Sequence, residues 1–381
     1  MSKVRLVLKS RSFGFRRPQK AEILIFDRVG SEEIFEYLDP AGVHILDTRG
    51  ESFNLYVLIL SVLLRKNYFE LYVGFVSPRV CLTFIDNNPR FYTLKKAFPE
   101  ITTVFIQNGW RSFDAMDEIK QGKDWRVDYM LVHAREIGEK YKEYVRGNYE
   151  IIGCFRNNLF PGLPIKKNRV VFVSVYEPNE SLVVLPGTKR IIGWDEFVVS
   201  ERIVLPLLKK FCVESNFELF VAGRSAPEFP EEREKYETLL GKEGWTYSPR
   251  KRKWSSYELA CASEYVVGTE SNLLYETAAR GIKTALFTFR KRLISEFGDA
   301  FDFGWPARIG DSGPFWSNIP SEEEVVRILG YLKRVGEEEW LKSSRETMEK
   351  IMHYDPGNTR FVKLMQKLGV PLKKEFQGAQ G

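Results

Sequence analysis

The chain has 381 residues, with 57 Lys and Arg against 51 Asp and Glu, 3 His and 4 Cys, and it is 44% hydrophobic and 14% aromatic. That length calls for two domains at roughly 100–200 residues each, and the apolar content supplies packed cores and excludes a disordered chain. The net charge of +6 is local: residues 1–20 hold Lys3, Arg5, Lys9, Arg11, Arg16, Arg17 and Lys20 and no acid, which leaves the rest of the chain near −1 and excludes a uniformly basic nucleic-acid protein.

After this basic arm (1–20), AEILIFDR (21–28) reads as a strand and SEEIFEYL (31–38) as a helix. VHILDT (43–48) is the next strand, and a buried helix follows over Phe53–Arg65. RVCLTFID (79–86), TTVFIQ (102–107), VDYMLVHA (127–134) and YEIIGCF (149–155) are further strands, with helices near Phe91–Phe98 and Ile137–Arg146. Continuous apolar strands separated by helices imply parallel sheets covered on both faces. LFPGLPIKKNR (159–169) reads as a linker. The pattern restarts with strands RVVFVSV (169–175), FELFVAG (217–223), WTYSP (245–249), YVVGT (265–269) and KTALFTF (283–289). The intervening helices are expected over Glu196–Ser215, kinked or broken at Pro206, Glu231–Leu240, Tyr257–Ala262 and Asn272–Arg280, and then over Ser321–Val335 and Glu337–Met352. The chain thus reads as an α/β protein of two Rossmann-like domains facing a cleft, 21–160 and 168–335, with a helical tail over 336–372.

Ligands of such sheets bind beyond the carboxyl ends of the strands. In the first half these ends carry Arg49, Glu51 and Asn54, then Asp86, Asn87, Asn88 and Tyr92, then Gln107, Asn108 and Arg111, and His133. Asn and Asp in such places also cap the following helix, and Arg49 can equally clamp an anion or pair with Glu51. In the second half the ends carry Ser174, Arg224, Ser225, Glu270, Ser271 and Asn272, with Tyr275 and Glu276 one turn into the next helix. A helix N-terminus beside hydroxyls suits a phosphate, and Glu276 suits a ribose or sugar hydroxyl.

Several absences narrow the chemistry. There is no GxxxxGK[ST], no GxGxxG after the first strand of either half, no GxSxG and no HExxH. Cys81, Cys154, Cys212 and Cys261 are widely spaced and read as reduced thiols of a cytoplasmic chain, with neither a disulfide framework nor a zinc site. The apolar run Leu55–Leu64 is too short to span a bilayer, and the N-terminus has no signal-peptide pattern. The aromatic stretches Phe303–Pro306 and Gly313–Trp316, with Asn318, read as a loop plugging a domain edge or as a wall for a base or sugar ring.

FIDNNPRFY (84–92), FIQNGWRS (105–112), VDYMLVH (127–133), GTESNLLYETAARGIKTALF (268–287), FGWP (303–306), GPFW (313–316) and YDPGN (354–358) occur in this order. Together they resemble a family of O-antigen and surface-polysaccharide biosynthesis proteins, over about residues 20 to 370. The resemblance implies the GT-B glycosyltransferase fold, with the C-terminal tail packing back on the N-terminal domain through YDPGN. A looser likeness is to bacterial transferases of Kdo-type acidic sugars from CMP donors, carried by Ser271, Glu276 and Ala279-Arg280-Gly281; Asn272 and Leu274 stand where that pattern has Thr and Gly.

The expected function is sugar transfer from a nucleotide-sugar held by the second domain to a glycan or lipid-linked acceptor held by the first. Asp86, then Glu51, then His133 are the expected proton acceptors. Arg224 and the helix end at Ser271 would stabilise the leaving phosphate with no metal or other cofactor. An epimerase or a non-catalytic glycan-assembly protein of the same fold are the alternatives. The basic arm 1–20 would hold the protein peripherally at an anionic inner membrane, and nucleic acid is not an expected partner.

Overall fold

Apolar runs such as Ile23–Phe26 and Val170–Val173 can be buried on both faces inside a parallel sheet with helices on either side. In the computed structural model both six-stranded sheets are of this kind. It describes residues 12–49, 51–111, 113, 116, 120, 123–176, 183–184 and 190–377. Lys3, Arg5, Lys9 and Arg11 of the basic arm, and Ser112 of the FIQNGWRS motif, lie outside the described residues.

The chain forms two compact units, one drawn from Met1–Asn108, Met116–Leu159 and Asp355–Gly381, the other from Gly109–Ala115 and Phe160–Tyr354. The first holds strands β1 (Ile23–Phe26), β2 (Val43–Leu46), β3 (Val80–Thr83), β4 (Thr102–Ile106), β5 (Arg126–Val132) and β6 (Arg146–Ile151). All pairings are parallel, in the order β2-β1-β3-β4-β5-β6. Its helices include α1 (Leu55–Leu63), α2 (Tyr68–Val76), α3 (Arg135–Lys142) and α4 (Phe155–Leu159). The sequence reading passed over α2, which Asn67 starts by accepting hydrogen bonds from the Phe69 and Glu70 amides. It also extended β6 to Phe155. The strand instead ends at Ile151, Gly153 turns with φ +73°, and Phe155 opens α4, its ring edge-on to Tyr37 and Phe361 in the core.

The second unit holds β7 (Lys166–Val173), β8 (Glu218–Ala222), β9 (Thr246–Ser248), β10 (Ser263–Gly268), β11 (Lys283–Phe287) and β12 (Trp316–Ser317), all parallel in the order β9-β8-β7-β10-β11-β12. Its helices include α5 (Val199–Ser215), α6 (Glu231–Leu240), α7 (Asn272–Ala279), α8 (Glu322–Arg334) and α9 (Glu337–Met348). Pro206 lies inside α5 without breaking it; the break falls earlier, at Val198, between the turn Trp194–Phe197 and α5.

The unit boundary at Tyr354 and Asp355 falls within YDPGN. Beyond it, α10 (Thr359–Lys367) belongs to the first unit and buries Phe361, Val362, Leu364 and Met365 in one cluster with Ile23, Ile25 and Leu82. Two buried asparagines fix this return. Asn358 donates to the Tyr37 hydroxyl and the Phe155 carbonyl, each at 2.9 Å, and accepts from Asn158, whose own carbonyl accepts from the Asp355 amide. Among the described residues no helix is long and apolar enough to cross a membrane.

Candidate functional site

The second sheet has the strand order 3-2-1-4-5-6 in its own numbering, so the order reverses between β7 and β10. A crevice opens beyond the carboxyl ends of the strands at such a point. Ser174 follows β7, Arg224 and Ser225 follow β8, and Thr269 to Asn272 join β10 to α7. The structure shows what local reading did not: the Arg224–Ser225 turn is shaped by Glu232, fully buried in the first turn of α6. Glu232 accepts from the Arg224 amide (3.0 Å to each oxygen), the Ser225 amide (2.7 Å), the Tyr247 hydroxyl (2.8 Å) and the Ser174 hydroxyl. These donors and the helix N-terminus stabilise the Glu232 carboxylate. Among the described residues the buried Ser225 hydroxyl has no partner, and the Arg224 side chain is exposed.

At the end of β10, Ser271 caps α7, accepting from the Leu273 amide at 3.4 Å, and Asn272 is half-buried. Glu270 does not stand open to a ligand as an isolated acid. Fully buried Arg290 donates to it and, at 2.6 Å, to Glu201, which also accepts from Thr269. Burial pushes the Glu270 carboxyl up to about 7, against the opposing pull of Arg290. Tyr275 is buried, and its ring stacks on Trp110 at 5.0 Å. Glu276 is buried as well and accepts from the Tyr257 hydroxyl. Arg111, grouped from the sequence with the first half, is in the second unit with Trp110.

The aromatic stretches contribute Phe303, Phe315 and Trp316 to the core. Phe303 and Phe315 are buried, and Asn318 accepts from the Phe303 amide (2.9 Å) and from the Thr288 hydroxyl. Gly313 lies under the Trp316 ring, where a Cβ would come within 2.1 Å.

In the first unit the strand order reverses between β1 and β3. Asp27, absent from the sequence candidates, ends β1 with φ +101° and is fully buried. It accepts from the Thr48 hydroxyl (2.5 Å), the Val29 amide (3.0 Å) and the Arg49 guanidinium (2.9 Å). Arg49 thus pairs with Asp27 through its Nε, while its amide donates to Glu51 at 3.2 Å. Glu51 is half-buried. Asp86 is fully buried, one carboxylate oxygen accepting from the Tyr141 hydroxyl.

Tyr92 stands in the core rather than toward an acceptor: it is 1% exposed, stacks on Trp125 and donates to the Asp86 carbonyl. Asn54 caps α1 through the Val57 amide and donates to the Arg16 carbonyl at 2.8 Å. Asn88 caps the turn at Arg90, whereas Asn87 is exposed. Gln107 is buried and accepts from the amide of His133, itself buried. Asn108 is half-buried.

Residues 104–369, more than two thirds of the chain, match the model of a family described as "putative O-antigen biosynthesis protein". A search of curated proteins returns no match. Among solved structures, UDP-GlcNAc 2-epimerase from Neisseria meningitidis bound to UDP-GlcNAc is similar at 7% identity and a TM-score of 0.52, covering 92% of this chain and 100% of that one. The S. aureus MnaA–UDP co-structure is similar at 9% identity and a TM-score of 0.52, covering 92% and 97%. A glycosyltransferase from Rickettsia africae aligns over 92% of this chain and 99% of that one at 10% identity, with a TM-score of 0.49. The likeness at a TM-score of 0.52 is one of fold, which is GT-B-like with two Rossmann-like domains.

Proposed function

Because the chain belongs to this O-antigen biosynthesis family, we propose that it is a glycosyltransferase that moves a sugar from a nucleotide-sugar bound by the second unit to a surface glycan bound by the first. The observation that carries this reading is the convergence of Ser174, Arg224, Ser225 and the Thr269–Asn272 segment on one strand-order reversal. The UDP-GlcNAc in the Neisseria meningitidis epimerase structure and the UDP in the S. aureus MnaA co-structure support a donor of that class. The exposed Arg224 and the N-terminus of α7 offset charge on the departing phosphate. Glu232 holds the Arg224–Ser225 turn and does not touch the donor.

The acceptor hydroxyl loses its proton to a carboxylate of the first unit. Glu51, which solvent reaches, is the proposed acceptor of that proton, a choice supported by the burial of Asp86 and His133. Asp86 then acts as a positioning residue through Tyr141. The proposed acceptor is a growing glycan or its lipid-linked form, and the donor panel includes a CMP-linked acidic sugar because of Ser271 and Glu276.

Calorimetry with UDP-, CDP-, GDP- and CMP-sugars tests the donor, and product analysis with a lipid-linked acceptor tests transfer. Glu51→Gln is expected to lose at least about a hundredfold in transfer rate with donor affinity unchanged. Binding of no nucleotide-sugar sinks the reading. An epimerised product formed from the donor alone replaces it with epimerase activity.

A further inference from the structure

We propose that α1 and residues 12–20 beside it form a docking surface for an anionic lipid bilayer. This goes beyond sugar transfer and does not depend on it. Among the described residues, α1 carries large apolar side chains into solvent: Ile59 is 58% exposed, Val62 61% and Leu63 71%, with Leu64 just beyond the helix also exposed. Soluble surfaces scatter such residues singly, and a cluster of them marks an interaction face.

The described part of the arm, from Ser12 on, is tied to the same place. Ser12–Gly14 pairs in parallel with Ser52–Asn54, the strand that runs directly into α1. Asn54 bonds the Arg16 carbonyl, and the Arg17 guanidinium lies 4.8 Å over the Phe75 ring, itself 5.9 Å from Tyr56 of α1. Phe13 and Phe15 are thereby fixed next to the helix, and both are exposed, Phe15 at 71%.

Charge selects the occupant. Exposed Arg16, Arg17, Lys20, Arg65 and Lys66 border the apolar side chains, and neither 12–20 nor 53–69 contains an acid. Two copies meeting through this face about a two-fold axis would oppose like charges. A bilayer with anionic headgroups takes the apolar side chains at its acyl boundary and the cations at its surface, as interfacial helices do.

The test is flotation of the full chain with vesicles of phosphatidylcholine and phosphatidylglycerol, and of phosphatidylcholine alone. Wild type is expected to float with the anionic vesicles, less so as salt rises and the Debye length shortens. Ile59→Ser with Leu63→Ser should cut that partitioning at least about tenfold without lowering the melting temperature, because both side chains already face water. Arg16→Ser with Arg17→Ser should cut it by about fivefold per charge and flatten its salt dependence. Absence of vesicle binding by wild type, or equal flotation of the Ile59/Leu63 variant, overturns the proposal. So does a concentration-dependent dimer that the same variant dissolves while neither protein binds vesicles.

Discussion

Replacing Glu232 is the sharpest probe of the second unit. The side chain is fully buried and takes hydrogen bonds from two main-chain amides, Arg224 and Ser225, and from the hydroxyls of Ser174 and Tyr247. Glu232→Ala removes every one of these acceptor sites at once. A buried donor left without a partner costs about 1–3 kcal/mol, and hydrogen bonds to charged groups lie at the upper end. Water entering the vacated space offsets part of this, so a loss of about 5 kcal/mol is expected.

Glu232→Gln is nearly isosteric, yet it has no comfortable orientation. An amide NH2 on the Tyr247 side faces the Ser225 amide, an obligatory donor. On the other side it faces Ser174, whose oxygen already accepts from the Tyr176 amide (3.1 Å) and the Tyr236 hydroxyl (3.0 Å). Its two lone pairs are taken, so Gln should still cost about 3 kcal/mol. Urea unfolding gives both values, and hydrogen exchange at the Arg224 and Ser225 amides should quicken in parallel. A loss below about 1 kcal/mol for Glu232→Ala, with exchange unchanged, would refute the assignment of Glu232 as the group that holds this turn.

Two further outcomes are expected. The folded chain holds a proton on Glu270 up to about 7, whereas the unfolded chain releases it near 4.5. This contribution to stability is complete below about 4.5 and is lost as pH rises to about 7. Glu270→Gln cannot titrate, so its melting temperature should fall less than that of wild type from about pH 5 to about pH 8; parallel curves would discount the raised carboxyl. Asn358→Ala removes three buried side-chain hydrogen bonds and forces alanine into φ +53°. It should cost about 3 kcal/mol in urea unfolding, of which Asn358→Gly recovers about 1 kcal/mol; equal losses for both variants would remove the backbone share.

The helices with polar starts and apolar periodicity were legible in the sequence, and α6 falls on the expected residues Glu231–Leu240. Expected limits slipped where a short apolar run serves either structure. YEIIGCF could be one strand, but the turn at Gly153 and the core position of Phe155 divide it between β6 and α4. The candidates at the strand ends were found by position, which the βα alternation supplies. Their surroundings were not, because each depends on a partner distant in the chain. Tyr92 turns into the core against Trp125, Asn54 ties down the arm, and Arg49 is drawn to Asp27, 22 residues earlier.

Sequence by itself determined the two α/β halves, the family likeness and the local concentration of positive charge, since these are written in short-range pattern and composition. Tertiary structure decided which polar groups face a ligand and which serve the protein. Glu232 sits among the acids Glu231 and Glu234 at a helix start, where any of them would look alike, and folding buries it under four donors while its neighbours stay in water. Likewise the apolar run of α1 suggested a buried helix, and folding left one side of it bare. Burial is a property of what packs against a residue, and that is set by contacts the local pattern does not contain.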